Sequence, residues 1–307
     1  MSRRRPTYLR AVVTTRCNHR CGYCHGEGEQ QSASGERELP GPLLTSCLRV
    51  MARSGTAKIK LMGGEAFLRS DLADLVSAVR GVVPAVDISI ITAGVVPVSR
   101  LDAVLRAGLD RVNVSIHGFR PRELALRGPG PEAHAQRARF VDTLFARGLD
   151  PKINYVYTGH GDREDLDALL EWAAARGALV NVLDNLQIDL SYEDVAETVR
   201  FLRGDPDQEI VDDDPHSLPT LRWIYADGLR VEIKHTRLGD VAPYAFCRGC
   251  RHRDACREGI FAERLTSTGM LVPCMHRPDL GIDLAGIVSD YGEEVALEAV
   301  LSKELEA

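Results

Sequence analysis

Three cysteines near the start of the chain form a group with an unusual spacing. Cys17, Cys21 and Cys24 follow the apolar run LRAVV in the pattern C-x3-C-x2-C. Disulfides do not explain them, because three is an odd number, the spacing would strain the pairs, and a reducing compartment keeps thiols free. A zinc site would need a fourth ligand such as His19 or His25. Three thiolates alone suit a [4Fe–4S] cluster with one iron open to a small molecule.

A second cysteine group lies near the end of the chain. Its members are spaced C-x2-C-x5-C-x17-C and are Cys247, Cys250, Cys256 and Cys274. The last of them follows a predicted hairpin, FAERLTSTGMLVPC, whose turn at 267–269 returns the chain toward the other three. Four thiolates fit a structural zinc site or an iron–sulfur cluster, and spacing alone does not separate the two.

Short β-branched runs alternate with amphipathic stretches over the first two thirds of the chain. The predicted strands cover residues 8–14, 58–63, 86–92, 111–116, 152–157 and 179–184. Several of the helical segments between them end at a glycine, as helices commonly do. The alternation predicts a parallel sheet with right-handed crossovers, either an open doubly wound sheet or a partial barrel. In both folds the chemistry belongs at the carboxyl ends of the strands.

The alternation stops after residue 204. The stretch RGDPDQEIVDDDPHSLP predicts an acidic surface loop, and a strand at 229–235, the second cysteine group and a last amphipathic helix over 293–307 follow it. We therefore predict a core over 1–204 and an extension over 205–307 that holds the late cysteines at 247–274.

The composition limits the class of protein and its partners. A chain of 307 residues, 44% of them hydrophobic, buries a large core. Its net charge of −6 argues against nucleic acid as a partner. No apolar run is long enough for a secretory signal or a membrane span, so we expect a cytoplasmic protein without a membrane partner. The acidic balance also predicts a site that attracts a cationic or neutral substrate more than a polyphosphate.

The strand-end motifs resemble those of the radical S-adenosylmethionine (SAM) superfamily. CNHRCGYC is similar to the family's C-x3-C-x-aromatic-C motif, and MGGEAFL to its GGEP motif, with Ala66 in place of the proline. ITAG, VSIHG and KINYVY resemble its TNG, SLDG and KIN-V segments. The resemblance implies a partial (βα)6 TIM-like barrel and a SAM-binding [4Fe–4S] cluster on the first three cysteines. It implies SAM contacts from Tyr23, Gly63, Gly64, Glu65, Thr92, Ser115 and Asn154.

The C-terminal part resembles the twitch extension of enzymes related to the molybdenum-cofactor GTP cyclase. CRGCRHRDACREGIFAERLTSTGMLVPCM shares the cysteine spacing and the RLT-x-x-G-x-L-x-PC hairpin of that group. The resemblance implies an auxiliary [4Fe–4S] cluster on the four late cysteines rather than zinc. It disfavours the GTP cyclase itself, whose GRR tail is missing from the final LSKELEA and whose auxiliary site uses three cysteines.

The reaction that the family resemblance implies begins with an electron from a reductant such as flavodoxin or ferredoxin. SAM is cleaved to methionine and a 5′-deoxyadenosyl radical, which takes a hydrogen atom from a substrate that the protein must hold in position. We expect a small polar metabolite such as a sugar, aminoglycoside or nucleoside, and a redox-neutral epimerisation in antibiotic biosynthesis. The alternatives are a peptide-modifying maturase, a cofactor-biosynthesis cyclase, and a non-enzymatic zinc-binding interaction protein.

An epimerase would need a thiol that returns hydrogen to the substrate radical. Cys47 is one candidate, although its apolar helical segment LLTSCLRVM is typical of a core cysteine. Cys250 is another, if it does not bind iron. Other polar residues are predicted at the barrel mouth, for substrate contact or for a solvated surface role: Lys152, Tyr157, Asp184, Asn185, Glu232, Lys234 and His235.

Overall fold

A computed structural model describes most of the chain. The described residues are 7–19, 21, 23–24, 38–117, 131–159, 162–184, 192–212, 219–234, 244–251, 253, 256 and 262–303.

Six parallel strands and the helices that follow them form the first two thirds of the fold. The strands are β1 Tyr8–Thr14, β2 Lys58–Gly63, β3 Asp87–Thr92, β4 Arg111–Ser115, β5 Lys152–Tyr157 and β6 Leu179–Asp184. The helices are α1 Gly41–Arg53, α2 Leu72–Val82, α3 Val98–Arg106, α4 Pro131–Ala146, α5 Arg163–Ala174 and α6 Tyr192–Arg203. Strands β1 to β6 are neighbours in chain order and pair in parallel, so the predicted partial (βα)6 barrel is confirmed.

Alternation along each strand gives the sheet two different faces. Leu9, Ile59 and Ile153 have no exposed surface and pack with the helices in one core. Their sequence neighbours, such as Arg10 and Lys60, point to the opposite face, because successive strand side chains alternate. We call this opposite face the inner face.

The C-terminal third adds strands to both ends of the same sheet. Beyond β6 lie β9 Arg230–Lys234, β8 Thr220–Ile224 and β7 Gln208–Asp212, with only β9 parallel to its neighbour β6. Beyond β1 lie β10 Glu263–Leu265, β11 Met270–Val272 and β12 Ile282–Asp283, and β10 is parallel to β1. The order is β12-β11-β10-β1-β2-β3-β4-β5-β6-β9-β8-β7. Strands on both sides of residue 204 therefore belong to one sheet.

The acidic stretch at 203–219 is not only a loop, contrary to the prediction. It contains β7, an edge strand whose side chains are almost all exposed. Exposure on both faces removes the alternation of apolar and polar residues by which a strand is recognised in a sequence. The preceding helix α6 was also missed, whereas the hairpin of β10 and β11 lies where it was predicted.

The last helical element, α7, covers Leu284–Ser302 and is interrupted at Gly292, whose φ of 86° and ψ of 175° are not helical. The part after this kink begins where the last helix was predicted, and the part before it was not predicted. Asp283 caps the start of α7, because its side chain accepts a hydrogen bond from the Gly286 N–H at 2.9 Å. Arg53 of α1 pairs with Glu294 of α7 at 2.8 Å, and the two helices pack together. Within the described ranges, no helix is long and apolar enough to cross a membrane.

Candidate functional site

The loop that follows β2 lies directly against the end of β1. The Gly64 N–H donates to the Thr14 carbonyl and the Glu65 N–H to the Arg16 carbonyl, each at 2.8 Å. A Cβ atom on Gly64 would collide with the Arg16 carbonyl, and one on Gly63, whose φ is 137°, would collide with that of Thr14. Both glycines are therefore needed to hold this loop beside the first cysteine loop, residues 17–24.

Glu65 presents a carboxylate that is 2% exposed. Its Oε1 accepts from the Thr92 hydroxyl at 2.9 Å and from the Phe67 N–H at 3.2 Å, and its Oε2 accepts from the Ala93 N–H at 2.8 Å. Burial raises the pKa of Glu65, although these hydrogen bonds oppose the rise. A buried carboxylate fixed on several sides suits a cationic partner such as an ammonium group.

The first cysteine loop is held at both of its ends. Glu38 accepts hydrogen bonds from the Thr15 N–H at 2.8 Å and from the Thr14 hydroxyl, just before the loop. Within the loop, the His19 N–H donates to the Cys17 sulfur at 3.4 Å and the Cys24 N–H donates to the Cys21 carbonyl at 3.1 Å. N–H donors to sulfur favour a thiolate, the form in which cysteine binds metal.

The thiol chemistry of this loop fits an iron–sulfur cluster. Burial raises the pKa of the Cys17 thiol to about 11, so a bound metal must displace its proton. The candidate zinc ligand His19 is buried and hydrogen-bonds Asn18 through Nδ1 at 2.7 Å, while His25 lies outside the described residues. Among the residues that the structure describes, no three His, Cys, Asp or Glu side chains form a site for a single metal ion. In a four-iron cluster, each cysteine binds a different iron.

Two residues beside the cysteine loop were missed in the sequence. His117, in the aspartate position of the SLDG pattern, packs against Tyr23 with ring centroids 4.2 Å apart and ring planes tilted by 49°. Its Nδ1 accepts from the Val156 N–H at 3.0 Å. Arg137 on α4 is buried, donates to the Ala93 carbonyl at 2.9 Å, and lies within electrostatic range of Glu65 and Tyr23. The sequence signal for Arg137 was one of two arginines in an otherwise ordinary helix, which is too weak to single it out.

Ser115 and Asn154 face each other across neighbouring strands of the inner face. Ser115 of β4 pairs in register with Asn154 of β5, which pairs with Asn181 of β6. Asn181 also donates its side-chain N–H to Asn154 Oδ1 at 3.0 Å. The structure thus brings the predicted Ser115 and Asn154 together in one polar row, with Ser115 at the carboxyl end of β4 and Asn154 in the middle of β5.

A row of cations crosses the inner face at the other side of the sheet. Arg264 of β10 pairs in register with Arg10 of β1, and Arg10 pairs with Lys60 of β2. Residues in register on neighbouring strands point to the same face, so three positive side chains stand next to one another. We call this set the cation row. The period of two in LRAVV and KIKLMG could have placed Arg10 and Lys60 on one face of the sheet. It could not have shown that Arg264 lies beside Arg10.

The four late cysteines lie in one region after β9 and β11. Cys247 and Cys274 are buried and pack with Tyr244, and the Cys250 N–H donates to the Cys247 carbonyl at 3.1 Å. The Cys274 sulfur accepts from the N–H two residues ahead at 3.4 Å, as the Cys17 sulfur does. Burial raises the pKa of the Cys274 thiol, and Cys256 and Cys247 are among its electrostatic neighbours.

Two residues with predicted roles in the reaction lie on the helix side of the sheet. Cys47 has no exposed surface, belongs to the core, and burial raises the pKa of its thiol to about 12. This placement favours a core role over the predicted hydrogen-donor role. Tyr157 is also fully buried and its hydroxyl accepts from Thr198 of α6 at 3.2 Å, so it is not at the barrel mouth. Asn185 and His235 lie outside the described residues.

The family model of the Radical SAM superfamily matches residues 11–173. Curated relatives align over nearly the whole chain. The probable GTP 3',8-cyclase of Methanocella arvoryzae is 26% identical over 305 residues, which cover 98% of this chain and 92% of that protein. The GTP 3',8-cyclase of Sulfurimonas denitrificans is 28% identical over 302 residues, with coverages of 96% and 87%.

Solved structures share the fold at low sequence identity. Streptococcus suis SuiB bound to precursor peptide SuiA aligns with a TM-score of 0.63 and 15% identity over 97% of this chain and 67% of that one. SuiB bound to S-adenosylmethionine gives a TM-score of 0.61 and 14% identity over 97% and 66%. The chain spans about two thirds of the length of these neighbours, and the likeness concerns the fold alone.

The relatives correct the predicted function. Proteins that align with almost the entire chain are named for a cyclisation of GTP, and none of those described above is named for a sugar or an aminoglycoside. The expected epimerase of antibiotic biosynthesis is therefore wrong, and the names of the relatives favour the alternative, a cofactor-biosynthesis cyclase, over it. They also go against the expectation that disfavoured the GTP cyclase itself. The expectation of a cationic or neutral substrate stays a prediction, although the inner face carries the cation row despite the net charge of −6.

Proposed function

Because the chain belongs to the Radical SAM superfamily, we propose that it is a cyclase of cofactor biosynthesis that acts on a purine nucleoside triphosphate, GTP. Its relatives support the substrate by name, and the cation row is the observation in the chain that carries the proposal. Like charges directly opposite on neighbouring strands destabilise a sheet. A polyphosphate against Arg264, Arg10 and Lys60 would compensate them where the surrounding protein weakens screening by water.

The family fixes the cofactors as a [4Fe–4S] cluster and SAM, and the residues described above suit both. Cys17, Cys21 and Cys24 would hold the cluster, with an electron donor such as flavodoxin or ferredoxin. When bound, the cluster supplies the electron that cleaves SAM to methionine and a 5′-deoxyadenosyl radical. Glu65 would accept the ammonium group of SAM, since its carboxylate is buried and fixed.

The remaining SAM contacts follow from charge and position. Arg137 is a buried cation beside Glu65 and Tyr23 and would pair with the SAM carboxylate. Ser115 and Asn154 offer a hydroxyl and an amide on the inner face, which suit the carboxylate and the ribose hydroxyls. Tyr23, which packs against His117, would shield the cluster on the first cysteine loop from water.

We include an auxiliary [4Fe–4S] cluster on Cys247, Cys250, Cys256 and Cys274 in the proposal. Cys274 follows β11, and β11 forms a hairpin with β10, which carries Arg264 of the cation row. A cluster bound to Cys274 would order this hairpin and with it one end of the cation row. The parallel N–H to sulfur bonds at Cys17 and Cys274 support a similar chemistry at both groups.

The test is anaerobic turnover with SAM, dithionite and either GTP, GDP, guanosine or ATP. A bond between C3′ and C8 of GTP requires that a hydrogen atom leave C3′ and that one electron and one proton be added, so the product is an isomer of GTP. With GTP deuterated at C3′, we expect one deuterium in 5′-deoxyadenosine and a new deuterium-free product that is an isomer of unlabelled GTP. Deuterium-free 5′-deoxyadenosine, or a response to ATP and not to GTP, would exclude the proposed reaction.

A further inference from the structure

A buried carboxylate on the inner face is already occupied by cations of the same chain. Glu232 of β9 has a side chain that is 3% exposed, and its Oε2 contacts the Lys152 ammonium of β5. Its Oε1 accepts from Arg222 Nη2 of β8 at 2.6 Å and from Arg222 Nε at 3.1 Å. Arg222 in turn pairs with Asp212 of β7 at 3.0 Å. We call these four residues the charge quartet.

The charge quartet continues the polar row of the proposed SAM site. Glu232 pairs in register with Asn181, the neighbour of Asn154, and with Arg222 on its other side. Lys152 lies two residues before Asn154 on β5 and therefore on the same face. A substrate that lies between the polar row of the proposed SAM site and the cation row would approach Lys152.

The two basic groups of the inner face differ in how their charges are arranged. In the charge quartet, two cations face two carboxylates, and the set is neutral. Burial by itself would raise the pKa of Glu232, but Lys152 and Arg222 lower it below its usual range, so the carboxylate is ionised near neutral pH. The cation row places three positive charges side by side in register instead.

We propose that Glu232 is a specificity-determining residue: by occupying Lys152, it withholds that ammonium from the substrate's phosphates and leaves their binding to the cation row. The inference rests on the proposed nucleotide substrate. An internal carboxylate competes with a phosphate for the same ammonium, so Glu232 lowers the affinity for the most highly charged ligands and has little effect on an uncharged nucleoside.

The experiment measures binding of inorganic tripolyphosphate to the reconstituted full-length protein by calorimetry, with guanosine as the uncharged comparison. Glu232→Gln removes the charge and keeps the shape, so tripolyphosphate should bind about tenfold more tightly, as one freed charge at close range allows. Guanosine binding should stay unchanged. Asp212→Asn removes an equal charge at the exposed end of the charge quartet and should change the tripolyphosphate affinity less than about twofold.

A double variant keeps the test valid if Glu232→Gln folds poorly. Lys152→Gln with Glu232→Gln removes the buried pair together and leaves the net charge unchanged, which proteins tolerate better than a single loss. We expect its tripolyphosphate affinity to be within about twofold of the parent protein. A large loss in the double variant would show that Lys152 already binds phosphate, and an unchanged or weaker affinity in Glu232→Gln would equally overturn the inference. If Glu232→Gln and Asp212→Asn increase the tripolyphosphate affinity equally, the increase is a general effect of net charge, and the inference about Glu232 is overturned too.

These measurements need no turnover and can be read apart from the proposed reaction. If no nucleotide stimulates SAM cleavage, the proposed function fails while the comparison of tripolyphosphate affinities still decides the role of Glu232. If GTP is cyclised and Glu232→Gln binds tripolyphosphate no more tightly, only the inference about Glu232 fails.

Discussion

The Glu65 carboxylate is buried and accepts several hydrogen bonds. Its proposed role in SAM binding can be tested by the replacement of one carboxylate oxygen with an amide nitrogen. Its two oxygens already accept from Phe67, Thr92 and Ala93, so the carboxylate cannot turn away from the loop. An amide keeps the shape but has only one accepting oxygen, so either the Phe67 N–H or the Ala93 N–H would lose its acceptor. Unfolding free energy and iron content of the variant, compared with those of the parent protein, separate loss of the negative charge from loss of the loop geometry.

We expect Glu65→Gln to weaken SAM binding about ten- to a hundredfold, because a hydrogen bond between charged groups becomes one to a neutral amide. Calorimetry with SAM on the reconstituted protein gives the affinity. Glu171→Gln, an exposed change on α5, is the matched control and should bind SAM normally. Normal SAM affinity in Glu65→Gln would remove Glu65 from the proposed SAM site.

At the scale of elements, the site depends on how closely two loops approach. The loop of Gly63, Gly64 and Glu65 forms two backbone hydrogen bonds to residues 14–16, which lead into the first cysteine loop. Glu38 fixes the same segment from the other side. The position of the three cysteines is thus set by β1, β2 and their following loops together.

Gly64→Ala tests this approach. The added methyl group would collide with the Arg16 carbonyl, so we expect a loss of about 1–3 kcal/mol in unfolding free energy and less iron after reconstitution. Chemical denaturation and iron analysis give the two values. Gly81→Ala is the control, because Gly81 lies in α2 with open space around it. This variant should gain up to about 1 kcal/mol in unfolding free energy. Full iron loading in Gly64→Ala would show that the close approach is dispensable.

Cys274→Ser addresses the element that carries the late cysteines. If β11 delivers Cys274 to an auxiliary cluster, iron should fall from about eight to about four atoms per chain. Some SAM cleavage without cyclised product should remain, because the first cysteine loop is intact. Cys47→Ala should keep about eight irons, since Cys47 lies in the core. One zinc per chain in the parent protein would contradict the auxiliary cluster.

At the scale of the whole molecule, the net charge is negative although basic residues are grouped on the inner face. The chain carries −6 overall, yet Arg264, Arg10 and Lys60 meet on the inner face while Glu232 is compensated by its own neighbours. We expect GTP binding to weaken several-fold between about 0.05 and 0.3 M salt, because screening acts on charge pairs. Lys60→Gln should flatten this dependence in calorimetric titrations, and a salt-independent affinity would count against phosphate binding at the cation row.

Sequence patterns predicted correctly those features that depend on residues close together in the chain. The bounds of β1, β2, β5 and β6 agree with the strands read from their alternation, and the glycines of the β2 loop were found from their motif. The cation row was not found, because Arg10 and Arg264 meet only through the parallel pairing of β1 with β10. The compensation of Glu232 was missed for the same reason, because Lys152 lies 80 residues away in the chain. The strand β7 was missed because its exposed side chains do not alternate.

The pairing of β1 with β10 also bears on the order of events during synthesis. β1 leaves the ribosome well before β10, the strand that covers one of its edges, which appears on the order of 10 to 50 s later at ordinary rates of translation. Throughout that interval the apolar strand that leads to the first three cysteines has an open edge, which invites pairing with other nascent chains. Production of active enzyme should therefore respond to chaperone supply and to the speed of translation, and a fragment that stops before β10 should aggregate.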